Sequence, residues 1–166
     1  MHSGFTFLEL LITLSLIALL ALIALPQYQD FLARQQQNTE IQQLVRTLTM
    51  ARQQALLLGQ TVSVCPYLAH RCGQDWSQGL RVVQKTGIEE TLIMQQPFSG
   101  DATILLKTFP QGSEYAIPFT AQGFTSSQNG SFYYCPKNSA QAKRIVFNQA
   151  GRAYVTGEGA SEGCLI

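Results

Sequence analysis

The chain has 166 residues, of which only 13% are charged, and its formal net charge at pH 7 is +1. This length is enough for one domain with a hydrophobic core and too short for two once the apolar amino-terminal segment is set aside. The near-neutral charge excludes a strong long-range field toward nucleic acid, acidic substrates or anionic lipids, so any such partner would have to be held by a local patch.

An apolar stretch runs from Phe5 to Leu25, and Glu9 is its only charged residue. A bilayer core of about 30 Å is spanned by about 20 apolar helical residues, so this length predicts a membrane span. A secretory signal peptide would have a basic start and a small-residue cleavage site after the apolar run, and neither is present. The stretch therefore indicates an anchor that stays on the mature protein, and an ordinary single-pass anchor is the simplest form of it.

Gly4 and Glu9 indicate a more specific role for this segment. A peptidase that cuts after Gly4, on the cytoplasmic side of the apolar run, would keep the helix and expose a new α-amine on Phe5. A carboxylate in hydrocarbon is costly unless it has a partner. In an assembly, the amino-terminal amine of a neighbouring chain could pair with Glu9 and set the axial register between subunits.

The segment "GFTFLELLITLSLIALLALIALPQY" resembles the amino terminus of type IV pilins and type II secretion pseudopilins. The resemblance implies cleavage after Gly4 by a prepilin peptidase, N-methylation of Phe5, and Glu9 as the subunit-docking carboxylate. The leader departs from the family pattern, since His2 stands where a Lys or Arg is usual. The positive-inside signal for orientation is correspondingly weaker.

The residues after Pro26 predict that the helix continues as an amphipathic one. Apolar residues recur there at helical spacing, which predicts one buried face, and Gly59 is a suitable carboxy-terminal cap. We predict one helix from about Thr6 to Leu58, kinked near Pro26 and roughly 80 Å long. The predicted buried positions are Ile41, Leu44, Val45, Leu48, Ala51 and Ala55.

Short apolar segments separated by turn signals follow the helix and predict β-strands. "GLRVVQK" and "ETLIMQQPF" flank "TGIE", a predicted hairpin turn. The predicted class is α+β: a type IV pilin-like fold with one long amino-terminal helix, transmembrane in its first half, packed on antiparallel β-sheets. The remaining predicted strands are "TVSVC", "ATILLKTF", "YAIPF", "GSFYYC", "RIVFN" and "RAYVTG". The predicted parts are a leader (1–4), the transmembrane part of the helix (5–27), its amphipathic part (28–58) and a β-rich periplasmic domain (59–166).

The segment after the helix resembles the GspH/FimT/FimU group of minor pilins and pseudopilins. That group shows an Ala-Arg-x-x-Ala helix end, a Cys-Pro loop and a Trp-Ser-x-Gly motif. Here these are Ala51-Arg52 with Ala55, Cys65-Pro66, and Trp76-Ser77 with Gly79. Asp75, beside Trp76, is interpreted as a turn residue next to a core aromatic. Later, "FYYCPKNSAQAKRIVFNQAGRAYV" resembles the closing Cys, basic strand and Gly-Arg hairpin of the same group.

The four cysteines predict disulfides and an oxidising compartment. A zinc site would favour C-x2-C pairs or nearby histidines, and His70 is the only histidine outside the leader. We predict Cys65–Cys72 and Cys135–Cys164, the second pinning the carboxy-terminal tail, although the sequence by itself leaves the connectivity open. No nucleophile, paired-carboxylate or phosphate-loop motif is present, so we predict no enzyme, no cofactor and no metal.

A DNA-binding role is an alternative that the family resemblance raises. Some FimT-like members are implicated in DNA uptake and carry a Gly-Arg-x-Arg motif, whereas this chain reads "GRAY", with Tyr154 in place of the second Arg. Basic side chains nearby could support weak, salt-sensitive phosphate contacts, and Tyr154 could stack on a base. The missing Arg and the near-neutral charge favour a solvated strand face instead. The candidate residues are Lys137, Lys143, Arg144, Arg152 and Tyr154.

The function predicted from the sequence is that of a minor pilin of a type IV pilus, in its priming or tip complex. A minor pseudopilin of a type II secretion system fits the same residues. The predicted partners are other minor pilins and the major pilin in a helical fibre, the inner membrane before assembly, prepilin peptidase, and DNA as a weak further ligand. The predicted location is the inner membrane, with a single span and a periplasmic carboxy-terminal domain, and then the pilus on the cell surface.

Overall fold

The structure is a computed structural model that describes residues 7–69, 71–87, 89–109, 115–126, 128–137, 141–157 and 159–165. Within these ranges a long helix, α1, precedes the strands, and a short helix, α2, closes the chain. The helices are α1 Phe7–Leu58 and α2 Ala160–Cys164, with a single 3-10 turn at Trp76–Gln78. The strands are β1 Val62–Leu68, β2 Arg71–Cys72, β3 Gly79–Thr86, β4 Glu89–Pro97, β5 Ala102–Phe109, β6 Ile117–Phe119, β7 Asn129–Pro136, β8 Lys143–Phe147 and β9 Ala153–Thr156.

The chain divides into two compact units, Met1–Gln36 and Gln37–Ile166. In the first unit, every large apolar side chain that the structure describes from Phe7 to Leu25 is exposed. No single described helix is long and apolar enough to cross a membrane. Two segments joined at a bend, Phe7–Leu22 and Gln27–Leu58, meet that test as a pair by length and composition.

The two described hydroxyl side chains in the apolar stretch bond to the helix itself. Thr13 donates to the carbonyl of Leu10 at 2.9 Å, and Ser15 donates to the carbonyl of Ile12 at 2.8 Å. A hydroxyl that bonds to its own helix needs no water, so it adds little to the cost of placing the helix in an apolar environment.

In the second unit, the carboxy-terminal half of α1 packs on the sheets through the face predicted from its periodicity. Ile41, Leu44, Leu48, Ala51 and Ala55 are buried, and Val45 is half-buried against the same core. These residues form one hydrophobic cluster with side chains of both sheets. The predicted class, a long amino-terminal helix packed on antiparallel sheets, is confirmed.

The first sheet has the order β2-β1-β3-β4, with β6 also paired to β1, and all its pairings are antiparallel. The predicted hairpin between β3 and β4 is present and turns at Gly87, whose φ of 65° favours glycine. The second sheet has the order β5-β7-β8-β9 and is also antiparallel. Trp76 lies between the two sheets, edge-on to Phe132 with ring centroids 4.9 Å apart.

Two short elements were not predicted from the sequence. The segment between Cys65 and Cys72, interpreted as a loop, is a small hairpin in which Tyr67 pairs with Cys72 and Leu68 with Arg71. The other is α2, which spans only Ala160–Cys164. Segments this short are not long enough to show an apolar period, so the sequence pattern does not predict them. In the structure they are held by the disulfides and by the adjacent sheets.

Candidate assembly surfaces

The amino-terminal motif is only partly within the described structure. Gly4 and Phe5, the predicted processing residues, lie outside the described residues. Glu9 lies in the first turn of α1 and is exposed. A helix amino terminus favours a negative charge, which suits a carboxylate there. Pro26 falls within the bounds of α1, and the kink at this residue stays a prediction.

The Ala-Arg-x-x-Ala motif joins the end of α1 to two loops. Ala51 and Ala55 face the core, and Arg52 turns sideways, its Nε donating to the carbonyl of Gly123 at 3.1 Å. Gly151 has a φ of 71°, and a Cβ there would lie 2.8 Å from Cδ of Arg52. The glycine of "GRAY" is therefore required for close packing against α1, independently of any ligand.

The Trp-Ser-x-Gly motif connects the two sheets. Ser77 accepts a hydrogen bond at its hydroxyl from the backbone N–H of Ile104 in β5, at 2.9 Å. A Cβ on Gly79 would lie 2.3 Å from the carbonyl oxygen of Gln96 in β4. The backbone of β4 therefore leaves no room for a side chain at position 79. Trp76 is only 3% exposed, as expected for a core aromatic.

Asp75 caps the 3-10 turn, as expected for a turn residue. Its carboxylate accepts a hydrogen bond from the backbone N–H of Ser77 at 2.9 Å. Partial burial opposes ionisation, but the hydrogen bonds from Ser77 and Gln78 outweigh it and lower the pKa of Asp75 below its usual value.

A buried carboxylate that the sequence reading missed ties α1 to the β4–β5 loop and to the second sheet. Glu40 is 6% exposed and accepts hydrogen bonds from the backbone N–H and the hydroxyl of Ser99, at 3.0 and 2.7 Å. Its other oxygen accepts from the hydroxyl of Tyr134 in β7 at 2.7 Å. Burial, reinforced by this carboxylate, raises the pKa of Tyr134 well above 10.

All four cysteines form disulfides, paired as predicted: Cys65–Cys72 and Cys135–Cys164. The first closes the β1–β2 hairpin, and the second fixes α2 against β7. Zinc binds cysteine as a thiolate, so the four sulfurs are not available as zinc ligands while these bonds are intact.

We expect the larger loop to contribute more stability, because cross-linking a longer loop removes more entropy from the unfolded chain. Cys135→Ser combined with Cys164→Ser should lower the free energy of unfolding by about 3 kcal/mol, and Cys65→Ser combined with Cys72→Ser by about 2 kcal/mol. Denaturant titration of the oxidised full chain in neutral detergent measures both losses. Non-reducing peptide mapping should find both bonds within one chain, and free thiols at all four positions would contradict the predicted oxidising compartment.

Three of the candidate DNA-binding residues lie near one another around the β8–β9 hairpin. Arg144 and Tyr154 are at outward positions of the second sheet, since Tyr154 pairs with Val146, two residues along β8 from Arg144. Tyr154 is 54% exposed. Arg152 is exposed at the hairpin turn, where its backbone N–H donates to the side chain of Asn148.

The other two candidates lie elsewhere. Lys143 pairs with Tyr134 and so projects from the core side of the sheet at its end. Lys137 follows β7, and its ammonium donates to the carbonyl of Gly100 at 2.8 Å. The structure therefore does not bring all five residues onto one face, and their role in DNA binding stays a prediction.

A long amino-terminal helix that packs its second half on antiparallel sheets defines the type IV pilin fold, a class of fibre-forming structural proteins. Within that class, the sequence model of the family "Type II transport protein GspH" matches residues 40–151, more than half of the chain. The chain therefore belongs to the GspH family, and it is a GspH/FimU-type minor pilin or pseudopilin.

Curated relatives cover a shorter stretch. Two fimbrial proteins of Pseudomonas aeruginosa are each 42% identical to the chain over 61 residues. The match spans 37% of this chain and 39% of the length of each relative.

Solved structures show the same fold. The type IV minor pilin FimU of Pseudomonas aeruginosa has a TM-score of 0.58 at 21% identity, covering 76% of this chain and 92% of FimU. The minor pseudopilin EpsH from the type 2 secretion system of Vibrio cholerae has a TM-score of 0.51 at 13% identity, covering 71% of this chain and 94% of EpsH. At these identities the likeness is one of fold.

Proposed function

We propose that this chain is a minor pilin that helps to start or cap a type IV pilus. The observation that carries the proposal is the pairing of an exposed apolar helix, with Glu9 in its first turn, and a disulfide-bonded domain of the GspH family. Exposed apolar surface of this extent is costly in water, so the helix requires a membrane or the packed core of a fibre. The domain, by contrast, has its own hydrophobic core.

In this proposal the four parts of the chain act in sequence. Prepilin peptidase removes the leader (1–4) after Gly4 and methylates Phe5. Residues 5–27 hold the protein in the inner membrane, with the amphipathic part (28–58) and the β-rich domain (59–166) in the periplasm. The helix then leaves the membrane and joins other minor pilins and the major pilin in the fibre, with Glu9 docking on a neighbour.

The experiment that tests the proposal follows the chain through fibre assembly. Deleting its gene in the native host should reduce piliation, and an epitope-tagged copy should appear in sheared fibres. If piliation were normal and secretion of exoproteins were lost instead, the chain would be a pseudopilin of a type II secretion system. The EpsH-like fold supports that second candidate as well as it supports the first.

DNA binding gives a separate prediction. The full chain in neutral detergent should bind single-stranded DNA with a dissociation constant of about 100 μM or weaker, the weak end of the generic non-specific range, because only part of the candidate set shares a surface. Fluorescence anisotropy at low and at physiological salt measures this. Micromolar binding that weakens with salt and with Arg152→Glu would instead support a DNA-uptake pilin.

A further inference from the structure

The outward side of the second sheet carries a cationic surface centred on an aromatic ring. Strand alternation and the pairing of β5-β7-β8 place Lys107, Tyr133 and Arg144 on this side. Lys107 pairs with Ser131 and Arg144 pairs with Tyr133, so the three residues come from three adjacent strands. We call this set, together with Ser131, the Tyr133 surface.

Both cations are held in place by the ring. The ammonium nitrogen of Lys107 lies 5.3 Å from the ring centroid of Tyr133, and the guanidinium carbon of Arg144 lies 5.6 Å from it. Nε of Arg144 also donates to the hydroxyl of Ser131 at 3.0 Å. Cation–π contacts of this kind orient the charges while leaving their remaining N–H donors available.

The carboxy-terminal tail fixes Tyr133 from another direction. A Cβ on Gly163 would lie 1.8 Å from the ring atom Cδ1 of Tyr133, so α2 lies directly against the ring. The Cys135–Cys164 disulfide holds α2 there. The surface is therefore organised before any partner arrives, which lowers the entropy cost of binding.

Neither Lys107 nor Arg144 forms an ion pair with a carboxylate of the residues that the structure describes, although Glu162 of α2 lies near Arg144. Lys85 and Glu90, on the other sheet, do form an ion pair. Beside the two cations lies an open cavity of about 340 Å³, with Phe109 and Val146 contributing apolar walls. Two fixed positive charges at a concave site lined partly by apolar side chains are complementary to an acidic group on an apolar or aromatic segment.

We propose that the Tyr133 surface docks a carboxylate side chain of a neighbouring protein subunit whose sequence differs from that of this chain. The proposal rests on the proposed function, in which a minor subunit has other pilins as neighbours. The exposed aromatics at the rim, Phe109 and Tyr154, are residue types enriched at protein interfaces, as is Arg. The net charge of +1 and Glu162, which lies near Arg144 at one side of the surface, make an extended polyanion a poorer match than a single carboxylate bound on the Lys107 side.

The test uses a water-soluble carbodiimide, which joins an amine to a carboxylate when the two are in contact. It is applied to cell envelopes that contain the full chain, whether or not fibres have assembled. Peptide mass spectrometry should find Lys107 joined to an Asp or Glu of another protein. The Lys85–Glu90 pair, with Nζ and Oε1 3.3 Å apart, is the internal positive control for the reaction.

Two variants make the result specific. Lys107→Arg keeps the charge but should abolish the cross-link, because carbodiimide coupling requires the lysine amine and a guanidinium does not replace it. Arg144→Gln should lower the cross-link yield about fivefold, because the second cation no longer holds the carboxylate. Circular dichroism and disulfide mapping of each purified variant show whether the domain has kept its fold.

Three outcomes would overturn the proposal. The first is a Lys85–Glu90 cross-link with no cross-link at Lys107. The second is a cross-link from Lys107 to a carboxylate of its own chain or of a second copy. The third is tight binding of a single-stranded oligothymidine that depends on Lys107 and Arg144, which would assign the surface to nucleic acid. Absence of the chain from sheared fibres would contradict the proposed function. The cross-link is measured in cell envelopes and tests the docking surface independently of fibre assembly.

Discussion

Glu9→Val is expected to abolish incorporation of the chain into a fibre while leaving its insertion into the membrane intact. Valine is more compatible with hydrocarbon than a carboxylate, so the anchor should insert at least as well. What is lost is the partner for a neighbouring amino-terminal amine. An unpaired charge in an apolar environment costs about 3 kcal/mol. In a fibre that contains the variant this charge is the neighbouring amine, so incorporation should fall by about a hundredfold.

The measurement is immunoblotting of the tagged chain in sheared fibres and in alkali-washed membranes of the same cells. Asp30→Val is the matched control, because it removes another exposed carboxylate of α1 that lies beyond the apolar stretch. It should leave fibre incorporation within about twofold of the wild type. Normal incorporation of the Glu9→Val chain would remove the docking role from this residue.

Glu40→Leu is expected to lower the free energy of unfolding by about 3 kcal/mol, since buried donors left without an acceptor cost about 1–3 kcal/mol each. The substitution leaves Ser99 and Tyr134 without their acceptor. Guanidinium titration of the full chain in neutral detergent measures the loss. Gln53→Leu, an exposed change on the same helix, should stay within about 0.5 kcal/mol of the wild type.

A double variant separates the hydrogen bond from simple loss of packing. Glu40→Leu combined with Tyr134→Phe should be more stable than the sum of the single effects predicts, because it removes a donor together with its acceptor. Strictly additive losses would show that Glu40 acts on stability without the Tyr134 hydrogen bond.

The same contact predicts a dependence on alkaline pH. The pKa of Tyr134 in the folded protein is raised above the ordinary value of 10.0, so the unfolded chain releases this proton first. The stability that the contact contributes is present below pH 10 and falls as the pH rises above it. The unfolding midpoint of the wild type should therefore fall more steeply above pH 10 than that of Tyr134→Phe. Parallel curves would contradict the raised pKa.

Much of the fold could be predicted because its signals are local. The recurrence of apolar residues from Ile41 to Ala55 follows the helical period, and these residues form the buried face of α1. The strands after Gly59 were located by short apolar runs between turn residues, and their observed bounds differ by a few residues at most. The β1 strand extends to Leu68 because its end pairs with β2 across the disulfide hairpin.

The contacts of the candidate sites could not be predicted in the same way. Glu40 occupies a helix position amid glutamines, and nothing in its neighbourhood distinguishes it from a solvated carboxylate. Its partners Ser99 and Tyr134 are 59 and 94 residues away. Arg144 was identified only as part of a basic strand, because the pairing that places Lys107 and Tyr133 beside it depends on the order of strands in the sheet.

By itself, the sequence determined the long helix, its buried face, the α+β class, the family resemblance and the residues that form disulfides. These follow from residues close together in the chain, whose period and spacing reflect local backbone geometry. Only the tertiary structure decided that Glu40 is a buried link from α1 to the β4–β5 loop and the second sheet, that Gly151 is required for packing, and that two cations converge on Tyr133. Each of these depends on strand order and register, which bring distant residues together and which no local pattern of residues encodes.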